Sequence, residues 1–179
     1  AGVKASPCLM DGRVLVGDAS GVFYAVGADK GEVVWRFDTG TDQEIISSAN
    51  FADGRVLFGS YDGHLYCLSA GDGKLEWKYK TEAQVHCSPC IAGDAAAIAG
   101  CDGFLRVIGL ADGKERHKVE LHTSVAAGPA FDGQRLYVPT LGGKVFCVGW
   151  PGGRDVWKVA PAGRGSFYAG AAVQGDRVI

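Results

Sequence analysis

The chain has 179 residues, 47% of them hydrophobic and 21% charged, with a formal net charge of −2. That hydrophobicity excludes a disordered chain, the near-neutral balance excludes a nucleic-acid surface, and no run of about 18 apolar residues offers a membrane span. Glycine is the outlier, at 28 residues against a usual share of about 7%. It disfavours helix interiors and supplies the positive-φ positions of hairpin turns, so the composition predicts an all-β chain.

In chain order, four kinds of segment recur. The chain opens on a small-residue stretch, Val3–Leu9, and turns at Asp11-Gly12 into a short apolar run, Arg13–Gly17. GVFYAV (21–26) and EVVWRF (32–37) follow, the latter holding Trp35. The order restarts at Glu44–Phe51 and runs through Asp53-Gly54, Arg55–Gly59, GHLYCL (63–68) and KLEWKY (74–79). A third pass comprises Gln84–Ile91, Gly93-Asp94, Ala95–Ala99, GFLRVI (103–108) and KERHKV (114–119). A fourth comprises Val125–Phe131, Asp132-Gly133, Arg135–Pro139, GKVFCV (143–148) and RDVWKV (154–159). A fifth begins with Phe167–Val173, turns at Gly175-Asp176 and starts its second segment at Arg177.

Independent markers keep the same period. Gly21, Gly63, Gly103 and Gly143 are separated by 42, 40 and 40 residues. Trp35, Trp77 and Trp157 each follow a glycine by four residues, at Gly31, Gly73 and Gly153, and the third copy reads Gly113 then His117. Segments of strand length bounded by glycine turns are hairpin strands. The second and third segments are apolar on consecutive positions, so both of their faces are covered. A four-stranded antiparallel unit repeated every 40 residues or so and covered on both faces is a β-propeller blade. The expected blades are 3–39, 44–81, 84–121 and 124–161, with an incomplete blade at 166–179. The small-residue segment should be innermost and the tryptophan segment outermost. We expect about four and a half blades in one partial propeller, an open arc from a parent of about eight. The other blades would come from the same parent chain or another copy.

Few residues invite chemistry. Seven aspartates sit in Asp-Gly turn dipeptides, where turn geometry explains them. Cys87-Ser88-Pro89-Cys90 lacks a second ligand pair, and residues three apart in a strand point to opposite faces. All six cysteines are therefore expected to be free and mostly buried, as small apolar residues. The four histidines share no repeat phase. In the third pass an aromatic and a tryptophan change together, to Arg106 and His117. That pair reads as a degenerate blade, its polar patch satisfied by Glu115 or Glu120. It is also the one candidate for an interaction notch, a basic site for an acidic partner group.

The segments YAVGADKGEVVW (24–35), YCLSAGDGKLEW (66–77) and FCVGWPGGRDVW (146–157) resemble the repeat of pyrroloquinoline-quinone-type, quinoprotein-like β-propellers. The resemblance covers essentially the whole chain. It implies that Trp35, Trp77 and Trp157, with Gly31, Gly73, Gly113 and Gly153, dock neighbouring blades together. The family's usual aspartate in the docking motif is replaced by Gly27, Ser69, Gly109 and Gly149, so only the Gly-x-x-x-Trp half carries over. Some members are quinone-dependent dehydrogenases that need Ca²⁺ and a catalytic aspartate, and many of the alcohol-oxidising ones carry a Cys-Cys disulfide, which is absent here. Others bind no cofactor and act as scaffolds or sensors. The expected function is a non-catalytic scaffold or recognition module for a protein, peptide or glycan, extracytoplasmic (periplasmic or secreted), with no cofactor in this chain. The alternative is part of a quinone (PQQ)-dependent dehydrogenase, with PQQ and Ca²⁺ held by blades elsewhere.

Overall fold

Each Asp-Gly and Gly-rich punctuation mark of the sequence becomes a hairpin. Asp11 (φ 47°) and Gly12 (φ 71°) both take positive φ, as do Asp53 (φ 50°) and Gly54 (φ 72°). Two consecutive positive-φ residues make the tight turn whose twist matches that of the flanking strands. The computed structural model describes residues 1–160, 165–175 and 177–179. Residue 161, the expected end of the fourth blade, and Asp176, half of the fifth turn signal, lie outside the described residues.

Two units divide the chain, Ala1–Ser88 and Pro89–Ile179. The first unit holds one sheet of β1 (Cys8–Met10), β2 (Arg13–Gly17), β3 (Val22–Gly27) and β4 (Val33–Asp38). Its second sheet is β5 (Asn50–Ala52), β6 (Arg55–Gly59), β7 (His64–Ser69) and β8 (Leu75–Lys80). The second unit repeats this with β9 (Cys90–Ala92), β10 (Ala95–Ala99), β11 (Phe104–Gly109) and β12 (Glu115–Glu120). Then come β13 (Ala130–Phe131), β14 (Arg135–Pro139), β15 (Val145–Gly149) and β16 (Arg154–Val159), and the pair β17 (Val173–Gln174) and β18 (Arg177–Val178). Within every sheet the strands lie in chain order and pair antiparallel. The described residues are all-β and form four four-stranded propeller blades and two strands of a fifth.

The innermost strands are shorter than expected. Glu44–Phe51 yields only Asn50–Ala52 as a strand, and Gln84–Ile91 only Cys90–Ala92. The rest of these stretches is held by side chains. Ser47 Oγ accepts from Gly59 N at 3.1 Å and donates to the Cys87 carbonyl at 3.2 Å. Ser88 Oγ accepts from Ser48 N at 3.1 Å. Serine hydroxyls that bond backbone directly compete with ladder pairing, which is why small polar residues leave the strand here.

Burial follows the consecutive apolar pattern. In β6, β7 and β10 nearly every residue is buried. The first unit's core joins Met10, Leu15, Phe23, Trp35 and Ile45 to Val56, Phe58, Tyr66 and Leu68 of the following blade. Phe23 and Phe58 stack at 4.2 Å, and Phe58 stacks on Tyr66 at 5.3 Å. Offset ring pairs of this kind add about 0.5–1.5 kcal/mol to their area burial.

The outermost strands carry two features at a fixed repeat position. The β3–β4 register shifts between Ala25 and Val26, and the same irregularity recurs at Cys67/Leu68, Val107/Ile108 and Cys147/Val148. A bulge there skips one outer residue beside each tryptophan position and re-aims that side chain. One residue further on stands an exposed cation in every blade, at Arg36, Lys78, Lys118 and Lys158. A charge in the middle of an open edge strand blocks pairing with another sheet.

Candidate functional site

The turn aspartates do more than turn. Asp18 Oδ1 accepts from Ser20 N and Val22 N at 2.9 and 3.0 Å, and its Oδ2 from the Tyr24 hydroxyl at 3.2 Å. Asp62 accepts from His64 N at 2.9 Å and from the Tyr66 hydroxyl at 2.5 Å. Asp132 accepts from Gln134 N, Arg135 N and the Tyr137 hydroxyl at 2.7–2.8 Å. Burial pulls these three carboxyls upward, but the hydrogen bonds outweigh it and hold each below its ordinary value. The Tyr66 hydroxyl moves the opposite way, raised by burial and by its bond to Asp62.

A lowered folded-state pKa has a definite sign in linkage. Its stabilisation is complete above the unfolded carboxylate value of about 3.9 and is lost as pH falls through the lower folded value. The denaturation midpoint should therefore be level from neutral pH down to about 5 and fall steeply below about 4. Asp62→Asn should flatten part of that fall in a pH series of urea melts. An unchanged acid limb would contradict this role for Asp62.

The first unit contains a two-donor clamp between its blades. Trp35 is 8% exposed, and its Nε1 donates to the Ala70 carbonyl at 3.1 Å. Arg13 Nη1 donates to the same carbonyl at 2.7 Å and to Gly71 O at 3.3 Å. The indole covers Gly73, where a Cβ would stand 2.5 Å from Cε3 and where φ is +71°. A side chain at Gly73 would meet both the ring and the backbone strain. Gly73→Ala should therefore lower stability by more than about 1 kcal/mol, whereas Gly31→Ala, open to solvent at φ +73°, carries the backbone penalty alone. Equal losses in parallel melts would show that the ring contact contributes nothing.

The other expected docking residues are placed as follows. Trp77 is half-buried and pairs with Cys67 across β7–β8. Trp157 is 39% exposed, tilted against Tyr137 at 5.9 Å. With Val145, Val159, Phe167 and Ile179 it lines an apolar groove of about 370 Å³. Gly113 and Gly153 share the positive φ of Gly31 and Gly73, at 64° and 65°.

Arg106 and His117 form no common notch. His117 pairs with Val107 and Arg106 with Lys118, so the two side chains lie on opposite faces of the blade. Arg106 is 2% exposed, and its Nη1 meets Asp102 Oδ2 at 2.8 Å, with Phe104 5.1 Å away and Glu115 at 3.6 Å from Nε. The main partner is thus Asp102 and not Glu115 or Glu120 as expected. Arginine takes the place that Tyr24 and Tyr66 hold toward Asp18 and Asp62. His117 lies over Gly153, its Cβ 3.4 Å from where a Gly153 Cβ would stand, as Trp35 lies over Gly73.

Sequence reasoning passed over the aspartate–hydroxyl pairs and the outer cations. The signals were there: an aspartate four residues before Tyr66 and again before Arg106, and a basic residue one after each tryptophan position. None of the six cysteines is in a disulfide; Cys67, Cys87 and Cys147 are buried and Cys8, Cys90 and Cys101 half-buried. Burial raises the Cys67 and Cys90 thiols to about 12 and about 11, which leaves them protonated and unreactive at neutral pH.

A quinone site requires carboxylates free to hold Ca²⁺ beside a catalytic aspartate. Asp18, Asp62 and Asp132 instead bond their own blades, and Asp102 is paired with Arg106. Among the described residues no three His, Cys, Asp or Glu side chains come together as metal ligands. The side chains present do not fit that group. No helix among the described residues is long and apolar enough to cross a membrane.

The family model described as outer membrane protein assembly factor BamB matches residues 1–124 and 101–179. BamB from Moraxella catarrhalis has a similar structure, with TM-score 0.82 at 19% identity over 98% of this chain and 53% of its own. The computationally designed Ika8 protein gives TM-score 0.85 at 16% identity, over 96% of this chain and 53% of that one. The quinohemoprotein alcohol dehydrogenase ADHIIG from Pseudomonas putida HK5 gives TM-score 0.79 at 18% identity, over 88% and 34%. This chain therefore spans about half the length of the first two and a third of the last. At these identities the likeness is one of fold. No curated protein matches the sequence.

Proposed function

Because the chain belongs to the outer membrane protein assembly factor BamB family, we propose that it is a non-catalytic propeller scaffold that binds a protein partner outside the cytoplasm. The observation that carries this reading is the use made of the carboxylates. The groups a dehydrogenase would turn toward cofactor and metal are engaged within the blades, so the surface offers shape and charge rather than chemistry. The family description, outer membrane protein assembly factor, supports both a protein partner and an extracytoplasmic location. A peptide segment fits the reading as well as a folded partner. A glycan partner has no support in the residues described here.

The competing reading, part of a PQQ-dependent dehydrogenase, draws on the shared fold with ADHIIG and would need PQQ and Ca²⁺ held by other blades. The intact protein should be titrated with PQQ and Ca²⁺ and assayed for alcohol-dependent dye reduction. The scaffold reading expects no quinone absorbance shift and no turnover. Saturable quinone binding with alcohol-dependent reduction would overturn it.

A further inference from the structure

The first-to-second and third-to-fourth blade joints, one in each unit, are built differently at the end where the β3–β4 type turns lie. Their other ends match. Ile45 N bonds Asp18 O in the first unit as Val125 N bonds Gly100 O in the second. At the turn end, the first unit has its forward clamp, Arg13 and Trp35 both gripping the Ala70 carbonyl. In the second unit the equivalent positions are Ala95 and His117, so the guanidinium and indole donors are both absent. The acceptor position is changed too: where Ala28, Ala70 and Leu110 stand in the other blades, the fourth has Trp150.

His117 takes the ring position of the clamp over Gly153, while Trp150 reaches toward the turn that precedes Ala95. The Trp150 Nε1 and Cζ2 lie 3.9 Å from where a Gly93 Cβ would stand, in the β9–β10 turn of the preceding blade. Its ring meets Phe131 edge-on at 5.5 Å, and its N–H bonds Gln134 O at 2.8 Å. Among the described residues nothing donates to its carbonyl. We propose that Trp150 is the anchor of the third-to-fourth joint, reaching backward from the fourth blade in place of the forward clamp. Its ring is set against the Gly93 turn and, among the described residues, makes no hydrogen bond of its own across the joint, whose other end is held by Val125 N on Gly100 O and Ser124 Oγ on Cys101 O. Such a joint can slide and reopen at lower cost than one locked by two donors on one carbonyl, so it is the compliant joint.

The test uses the whole chain, thermal melts and hydrogen exchange read by peptide mass spectrometry. Trp150→Ala should lower the melting temperature by roughly 10 °C, as expected for loss of a large aromatic from a chain of this size. Faster exchange should be confined to β9–β16. Adding Ala95→Arg and His117→Trp to Trp150→Ala rebuilds the forward clamp onto the carbonyl of residue 150, with the new indole over Gly153, and should recover at least half of the loss. Trp150→Phe, which keeps a ring, should fall between wild type and alanine and serves if Trp150→Ala does not fold. A shift under about 2 °C for Trp150→Ala, exchange that quickens in β1–β8 instead, or no recovery in the triple variant would each overturn the proposal. In wild type, slower exchange in the β9–β10 turn than in the β1–β2 turn would overturn the claim of compliance.

Discussion

Trp35→Ala should destabilise the protein by about 3–5 kcal/mol, among the largest effects of any single substitution here. Three losses coincide at that position. The indole leaves the core it shares with Phe23 and Tyr66, uncovers Gly73, and withdraws one of two donors from the Ala70 carbonyl. Arg13 stays on that carbonyl, so the acceptor is not orphaned and the loss is mainly one of packing. Trp35→Phe separates the parts. It keeps a ring over Gly73 but loses the Nε1 donor, which should cost about 1 kcal/mol for the hydrogen bond plus a small cavity term. Urea melts of the two variants give the comparison. A loss under about 1 kcal/mol for Trp35→Ala would remove the clamp from the account of how these blades are held.

Arg106 carries the second large effect, and its sign depends on the replacement. Arg106→Ala leaves Asp102, 5% exposed, without its main partner, and breaking a buried pair in this way costs about 3–5 kcal/mol. Arg106→Tyr should behave quite differently. Tyrosine at this position donates to an aspartate in both blades of the first unit, and in Tyr66–Asp62 the aspartate stands four residues before it, as Asp102 does before Arg106. A buried pair replaced by a satisfied neutral group of similar volume is often neutral or better, so Arg106→Tyr should fall within about 1 kcal/mol of wild type. The contrast between alanine and tyrosine is the measurement. If both variants lose the same stability, the guanidinium does something at Asp102 that a hydroxyl cannot.

How much of this was legible beforehand depends on which interaction decides each element. Glycine spacing and consecutive apolar runs reported turns and double-sided burial, because φ > 0 and two covered faces are local demands that composition must meet. The order of strands within each blade followed from that. The innermost segments misled because their serines and prolines look like a strand of small residues. Their hydroxyls instead bond backbone, as Ser47 and Ser88 do. The Arg106–His117 pair misled for a geometric reason. Residues 11 apart in a repeat seemed to move together, but the bulge and the pairing register send them to opposite faces. Asp102 reads as a turn residue from the sequence, since an Asp-Gly dipeptide explains itself locally and hides the ion pair with Arg106 four residues on. Trp150 stood out in no repeat series and so drew no attention, although departure from the series was the signal.

The central claim is that this propeller works by holding a protein and not by transforming a substrate. The most direct measurement is photo-cross-linking in living cells from an unnatural residue at exposed blade positions such as Arg36, Lys78 and Lys118, with the adducts identified by mass spectrometry. The account predicts adducts to one protein of the outer-membrane assembly apparatus, strong at some of these positions and absent at others. Cross-links spread evenly over unrelated proteins, together with alcohol-dependent activity on addition of quinone and Ca²⁺, would contradict it.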